Sequence, residues 1–209
     1  MIQGAVIGFI VALVMVLMRA SQQKKGGRKI LAAMSLGAAE ARAALDAYIK
    51  PARGKVRTGR LLELLERLSW LAIIGAHDDL EQEAASLEGG LNVVTQLRAQ
   101  AAVGLLVHRT EPRDLEQLRA VAARIEAEGG VLSKLVKATT RDLAIAAGGL
   151  AQEVPEAAVM RRVFSRAAQL GPAQKIVLYR FLARVAEASG NPPAVFRREA
   201  EQALAKLQA

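Results

Sequence analysis

Residues 61–74 read LLELLERLSWLAII, a stretch whose spacing predicts an α-helix that is buried along its second half. Its leucines recur at intervals of three and four residues, which places them on one helix face. They are Leu61, Leu64, Leu65, Leu68 and Leu71. Arg60, Glu63 and Arg67 fall opposite them, and we expect that face to meet water. Residues 70–74 are apolar on every side, which is typical of a helix end enclosed by other helices.

The same helical spacing continues on both sides of this segment, with glycine, proline and polar clusters as breaks. We therefore expect an all-α domain without strands, and short loops that make neighbouring helices antiparallel. Two antiparallel neighbours form a helical hairpin. Hairpins that stack in one direction form a solenoid, whereas hairpins that fold back on one another form a bundle. The predicted helices cover 28–50, 60–74, 77–88, 91–108, 110–128, 131–147, 155–170, 172–189 and 192–207.

The composition narrows the chemistry that the chain can perform. Hydrophobic residues make up 52% of the 209 residues, but aromatic residues only 3%. Alanine and leucine are strong helix formers, in agreement with the helical spacing. The chain has no cysteine, which excludes disulfide bonds, iron–sulfur ligation and thiolate chemistry.

The N-terminal segment predicts a membrane anchor. Ile2 to Met18 carries no charged side chain, and as a helix residues 1–18 would reach about 27 Å, close to the thickness of a hydrocarbon core. A secretory signal peptide would carry a charged start and a small-residue cleavage site, which this segment lacks. A buried core helix is the other alternative. We expect residues 1–19 to form a single uncleaved transmembrane helix.

Positive charge is concentrated directly after this segment. Between Arg19 and Arg60 stand eleven Lys and Arg residues against two acids, which accounts for the whole net charge of +9. Because Lys and Arg stay on the cytoplasmic side, we expect an inner-membrane protein with its N-terminus outside. Residues 20–60 would form a basic juxtamembrane helix and loop, and residues 61–209 an all-helical cytoplasmic domain.

Small residues recur every four positions within the predicted anchor. Gly4, Gly8 and Ala12 would form a stripe along which a second membrane helix can approach closely. The stripe suggests packing against a second copy or a larger membrane complex, although such patterns also occur by chance.

The basic segment has three interpretations. It is a topology signal with a solvated face, a contact for anionic lipid headgroups, or a nucleic-acid surface. Lipid is favoured over nucleic acid, because Tyr48 is the only aromatic residue among the charges. The predicted lipid contacts are Arg19, Lys24, Lys25, Arg28, Lys29, Lys50, Arg53, Lys55 and Arg57.

The last forty residues resemble a hairpin of the tetratricopeptide repeat family. Tyr179, Leu182, Ala183 and Ala186 occupy positions at which that family packs its first helix. Gly190–Asn191 resembles its turn, and Ala203 and Leu204 resemble the Ala-Leu pair of its second helix. Phe196 departs from the pattern, as do Pro192 and Pro193, which lengthen the turn. The resemblance implies a TPR-like helical-repeat surface that binds peptides or partner proteins.

The sequence offers little catalytic or metal-binding chemistry. Asp78 and Asp79 after His77 are expected to complement a helix dipole rather than to bind a metal. His108 is expected to be a cation that caps a helix C-terminus. The Gly-Gly pairs lack the lysine of a phosphate-binding loop. We therefore expect neither a cofactor nor an enzyme.

Three functional hypotheses remain from the sequence. The first is a membrane-anchored scaffold or accessory subunit that mediates protein–protein interaction in a membrane-associated complex. The second is a membrane-tethered nucleic-acid-binding protein that uses residues 19–60. The third is an enzyme whose site is assembled from scattered carboxylates, which a deep polar pocket would favour.

Overall fold

The computed structural model describes residues 22–51, 54–127 and 134–208, and in these ranges the protein is all-α apart from one pair of three-residue strands. The predicted helical character of the chain is thereby confirmed. The helices are α1 (22–34), α2 (Ala38–Tyr48), α3 (Leu61–Ile74), α4 (His77–Ser86), α5 (Leu91–Leu106), α6 (Pro112–Ala127), α7 (Lys134–Gly148), α8 (Ala157–Ala167), α9 (Pro172–Ala188) and α10 (Ala194–Gln208).

Glycine 37 divides the helix that was predicted over 28–50. Gly37 adopts a φ of 147°, in the region that favours glycine, so the chain turns between α1 and α2. Leu36, directly before it, is exposed. The spacing of apolar residues continues across this turn, which is why the sequence alone predicted one helix.

The core lies around α3, α5 and α9. Trp70, Leu97 and Phe181, one from each helix, are fully or almost fully buried and belong to the same apolar cluster. The second half of α3 is enclosed, as predicted, but Arg67 is buried with it rather than exposed. Within the described ranges α9 contacts α3, α5, α7, α8 and α10. A helix that contacts partners so distant in sequence belongs to a compact bundle, because solenoid repeats contact only their neighbours.

A short parallel strand pair joins two loops, where no strand was predicted. Strand β1 (Gly54–Val56) pairs with β2 (Leu87–Gly89), with Lys55 opposite Glu88. Three residues are too few to show the alternation by which strands are recognised in a sequence. The pair fixes the basic loop after α2 against the connection between α4 and α5.

Segment 22–60 contributes to the same core as the helices that follow it. Ile30, Leu45 and Ile49 are buried members of the central apolar cluster. At Gly27 the backbone of α1 approaches the core so closely that a β-carbon would lie 3.1 Å from the Trp70 ring. Glycine at this position therefore permits α1 to pack against α3.

The prediction of a single-pass inner-membrane protein is wrong as it stands. Among the described residues, none of the helices combines the length and the apolar character that crossing a bilayer requires. This finding corrects both the transmembrane part of the fold class and the localisation derived from it. The predicted anchor, residues 1–19, lies outside the described residues, as do Gly4, Gly8 and Ala12 of the small-residue stripe.

Candidate interaction cleft

An open cleft of about 320 Å³ lies where α3, α5, α7, α8 and α9 meet. Its volume falls at the lower end of the range found for ligand sites, about 300–1,000 Å³. Most of its wall is aliphatic. The apolar lining residues are Leu65, Ala99, Val103, Leu135, Val136, Leu143, Val163, Leu170 and Leu178.

The apolar side chains that line the cleft differ in exposure. Val103 on α5 and Leu178 on α9 are buried and belong to the central core. Leu135, in the first turn of α7, is instead 68% exposed at the edge of the cleft. The core therefore continues outward into a surface that one further apolar element could cover.

Polar side chains in the cleft are partly used by the fold itself. Gln100 Nε2 donates to Ser69 Oγ over 3.0 Å and so joins α5 to α3. Gln174 Oε1 accepts from the backbone N–H of Gly171 at the start of α9. Thr140 Oγ1 donates to the carbonyl of Val136, within α7. These bonds fix the positions of the walls, and the remaining polar lining residues are Gln96, Thr139, Arg166 and Gln169.

A buried carboxylate holds α7 and α8 together beside the cleft. Asp142 Oδ2 accepts from Arg162 Nε at 3.0 Å and from Arg166 Nη1 at 2.7 Å, and its Oδ1 accepts from Arg162 Nη2 at 2.8 Å. Burial by itself disfavours the charged carboxylate, but the hydrogen bonds from Arg162 and Arg166 outweigh it and hold the pKa of Asp142 below its usual value. The cleft wall therefore depends on the ionised form of Asp142.

The two histidines lie in contact just beyond the C-terminal ends of α3 and α5, with His77 as the first residue of α4. The ring centroids of His77 and His108 are 5.0 Å apart. His108 Nε2 lies 2.6 Å from the carbonyl oxygen of Ala72, in the last turn of α3. Burial lowers the pKa of His108, so the ring is neutral and donates its Nε2–H there. The predicted helix cap exists, but the capped helix is α3, and the lowered pKa favours a neutral ring over the expected cation.

The predicted lipid-contact residues that the structure describes are all exposed. No ion pair joins any of them to a carboxylate within the described ranges. They are Lys24, Lys25, Arg28, Lys29, Lys50, Lys55 and Arg57. Arg19 and Arg53 lie outside the described residues. The cleft brings none of these residues together, and their contact with lipid stays a prediction.

Apart from Leu65 on the leucine face of α3, the residues of the cleft belong to no pattern that marks a site in the sequence. Leu135, Val136 and Leu143 on α7 formed part of a correctly predicted helix, but their spacing alone does not separate a covered face from an open one. The only sign of the cleft in the sequence is Leu135. It follows the charged Lys134 at the start of the helix and lies beside the stripe that Val136 and Leu143 form. Comparisons of the chain with models of known protein families, with curated proteins and with solved structures find no match.

Proposed function

We propose that this protein is a helical protein-interaction module that binds an apolar segment of a partner protein in the cleft between α5, α7 and α9. The open aliphatic cleft is the observation that carries the proposal. A partner helix with an aliphatic stripe fits its chemistry, because such helices place their apolar face into grooves of this kind. The polar side chains around the cleft suit the polar flanks of such a helix.

The C-terminal hairpin is a second observation that supports this proposal. Helices α9 and α10 pack along each other, and Phe196 of α10 meets Phe164 of α8 edge-on at a ring distance of 5.7 Å. The resemblance of this hairpin to tetratricopeptide repeats stays a prediction. If it is correct, it also implies a surface that binds peptides or partner proteins.

Two leucines provide a matched test. Leu135 lies in the cleft and is 68% exposed, whereas Leu36 lies in the turn between α1 and α2 and is 76% exposed. Leu135→Asp places a charge in the apolar cleft, and Leu36→Asp places the same charge on the surface elsewhere. The wild type and both variants are used to capture partners from cell extract, after circular dichroism has shown equal helicity.

The proposal expects one or more partners that the wild type and Leu36→Asp retain and that Leu135→Asp loses. Purified partner and isothermal titration calorimetry then measure the loss. Burying an aspartate in an apolar site without a counter-ion costs several kcal/mol, so binding should weaken by at least about a hundredfold. Equal affinity of the two variants would contradict the proposal.

A second candidate function is nucleic-acid binding through the exposed cations of segment 24–57. Arg42 of this segment pairs with Asp79, but its other exposed cations have no carboxylate partner within the described ranges, and this is the observation that favours the function. These cations are Lys24, Lys25, Arg28, Lys29, Lys50, Lys55 and Arg57. Such binding weakens steeply with salt, because each phosphate contact releases counterions. Fluorescence anisotropy with labelled duplex DNA and RNA at several salt concentrations would measure that dependence.

The charge control for this experiment comes from cations that are already paired. Replacing Lys24, Lys25, Arg28 and Lys29 by alanine should remove most of the binding. The same replacement of four paired arginines removes equal charge elsewhere and should have a smaller effect. These are Arg113, Arg119, Arg141 and Arg197. Equal losses, or binding to anionic vesicles without any binding to DNA or RNA, would count against this second function.

A further inference from the structure

A second pocket lies on the other side of α5 from the cleft. It has a volume of about 420 Å³, and its walls come from β2, α5 and α6. On α5 it is lined by Val94 and Arg98, whereas the cleft is lined by Gln96 and Gln100. Residues two positions apart in an α-helix point about 200° apart around its axis. The pocket is therefore separate from the cleft, and an inference from it does not depend on the proposed function.

Thr95 brings a buried hydroxyl without a partner to this pocket. The residue lines the pocket and is only 5% exposed. No hydrogen bond joins its side chain to any residue of the described ranges. A helical threonine often donates to the carbonyl four residues earlier, as Thr140 does to Val136. Because buried polar groups nearly always have a partner, the free hydroxyl of Thr95 indicates that the pocket receives a polar ligand.

Arg98 lines the same pocket one helical turn after Thr95. Residues three apart in a helix are neighbours on its surface. Within the part of the chain that the structure describes, the guanidinium of Arg98 has neither an ion pair nor a hydrogen bond. Its N–H groups form a planar fork that matches the two oxygens of a carboxylate or a phosphate. Arg98 and Thr95 are thus placed to donate to one and the same oxyanion.

The other lining residues define the charge and the shape of the ligand. Arg124 of α6 adds a second positive charge, although it also interacts elsewhere in the chain. Among the described lining residues Glu88 is the only acid, and it is exposed. Two cations against one acid favour an anion. Val94 and Val121 form an apolar wall between them, which suits a ligand with an apolar part.

We propose that this pocket binds a small organic anion whose carboxylate or phosphate group pairs with Arg98 and accepts a hydrogen bond from Thr95. The apolar part of the ligand packs on Val94 and Val121. The fold brings both polar groups to one pocket and uses neither of them for its own contacts. This combination is the observation that carries the proposal.

Isothermal titration calorimetry of the full chain tests the proposal with four probes. These are benzoate, phenyl phosphate, inorganic phosphate and the uncharged benzamide. We expect saturable binding of benzoate or phenyl phosphate, and the tighter of the two identifies the oxyanion. Benzamide has the size of benzoate without its charge, so it should bind at least about tenfold more weakly, the usual loss when a hydrogen bond to a charged group is missing. Phenyl phosphate should bind more tightly than inorganic phosphate, because only the former reaches the apolar wall.

Two pocket variants and one control locate the binding. Arg98→Gln and Thr95→Val should each weaken the tighter anion by about tenfold or more. Arg57→Gln removes the same charge from an exposed arginine outside the pocket and should leave the affinity unchanged. Without ligand, Thr95→Val should keep or raise the thermal midpoint, because it removes a buried hydroxyl that has no partner.

Other results would overturn the proposal. Failure of both organic anions to bind would show that the pocket is not an anion site. Equal affinity for benzamide and benzoate would show that no oxyanion is recognised. Equal losses for Arg98→Gln and Arg57→Gln would show attraction to the overall charge instead of binding in the pocket. A lower thermal midpoint for Thr95→Val would show that the hydroxyl serves the fold and not a ligand.

Discussion

Arg67 of α3 donates to the carboxylate of Glu83 on α4, from Nε to both oxygens at 2.9 and 2.8 Å and from Nη2 to Oε1 at 2.5 Å. Its side chain is only 1% exposed. Its Nη1 donates to the carbonyl of Ile49 over 2.6 Å, and its Nη2 lies 2.8 Å from Asp46 Oδ1. Burial disfavours the charged guanidinium, but Glu83 and then Asp46 outweigh this effect and raise the pKa of Arg67. One buried cation thus joins α2, α3 and α4.

Removing the charge of Glu83 should therefore be costly. Glu83→Gln keeps the size of the side chain but leaves the buried Arg67 with Asp46 as its only remaining carboxylate. Removing one partner of a buried ion pair typically costs about 3–5 kcal/mol. Because Asp46 remains, we expect Glu83→Gln to lower the free energy of unfolding by about 3 kcal/mol. Urea denaturation followed by circular dichroism measures the free energy of unfolding.

An exposed ion pair at the start of α3 provides the control. Glu63 Oε1 lies 3.2 Å from Arg60 Nη2, and both side chains are 41% exposed. Such pairs contribute at most about 1 kcal/mol, so Glu63→Gln should change the free energy of unfolding by less than that. Similar losses for the two variants would show that burial of Arg67 does not set its dependence on Glu83.

The approach of α5 to α3 and α4 leads to a second prediction. A β-carbon on Gly104 would lie 2.9 Å from Ala72 Cβ and 3.0 Å from Leu80 Cδ2. Gly104→Ala gains up to about 1 kcal/mol of helix propensity but forces a contact that overpacks the core, which typically costs about 1–3 kcal/mol. We expect net destabilisation, measured as a lower thermal midpoint.

Two further variants separate crowding from backbone effects. Gly59→Ala meets no atom within 4 Å and should not lower the midpoint. Adding Ala72→Gly to Gly104→Ala removes one side of the close contact and should restore part of the loss. If Gly104→Ala is as stable as the wild type, α5 can move away from α3 and α4 at no cost, which would contradict their close packing.

The spacing of apolar residues predicted the helices because burial in a helix repeats with the helical turn. It identified α3 and its enclosed second half, and it placed α9 at Pro172, where proline is favoured in a first turn. The same signal is local, however. It cannot detect that Gly37 interrupts an otherwise regular spacing, or that Val56 and Gly89, far apart in sequence, pair as strands.

Arg67 and Leu135 show why the buried ion pair and the candidate cleft could not be predicted. Arginine on the polar face of a helix normally meets water, and only the meeting of α2 and α4 above it encloses Arg67. Leu135 lies on the same helix as the buried Leu143, Ala146 and Ala147, and the positions of α5 and α9 leave it at the edge of an open cleft. Both outcomes depend on which helices become neighbours, and that information is spread over the whole chain.

Acid pH should weaken the junction between α7 and α8. The pKa of Asp142 is lower in the folded protein than in the unfolded chain, so the unfolded chain binds the proton more tightly. The stabilisation is complete above the unfolded value, about 3.9, and is lost as the pH falls through the folded value. Asp142→Asn should lower the free energy of unfolding at pH 7 by about 2 kcal/mol, since hydrogen bonds to charged groups contribute about 1.5–3 kcal/mol.

The same variant should also flatten the acid limb of the stability curve. Urea midpoints measured from pH 7 to pH 3 would show a smaller decrease for Asp142→Asn than for the wild type. Glu126→Gln, which loses an exposed pair with Arg141 at 3.8 Å, should change stability by less than about 1 kcal/mol at pH 7. Parallel acid limbs for Asp142→Asn and the wild type would contradict the role of the ionised carboxylate.

His108 should make the fold sensitive to pH in a higher range. Burial lowers its pKa, and the charges of His77, Arg180 and Arg184 act in the same direction. The unfolded chain therefore binds the proton more readily, so stability is complete above the unfolded pKa, about 6.5, and decreases as the pH falls through the folded pKa.

His108→Gln cannot be protonated but can still donate a hydrogen bond to the Ala72 carbonyl. Between pH 7 and pH 5 the urea midpoint of this variant should fall less than that of the wild type, and an NMR titration of the wild type should place the pKa of His108 below 6.5. A ring that titrates above that value would mean that the C-terminus of α3 is capped by a cation after all.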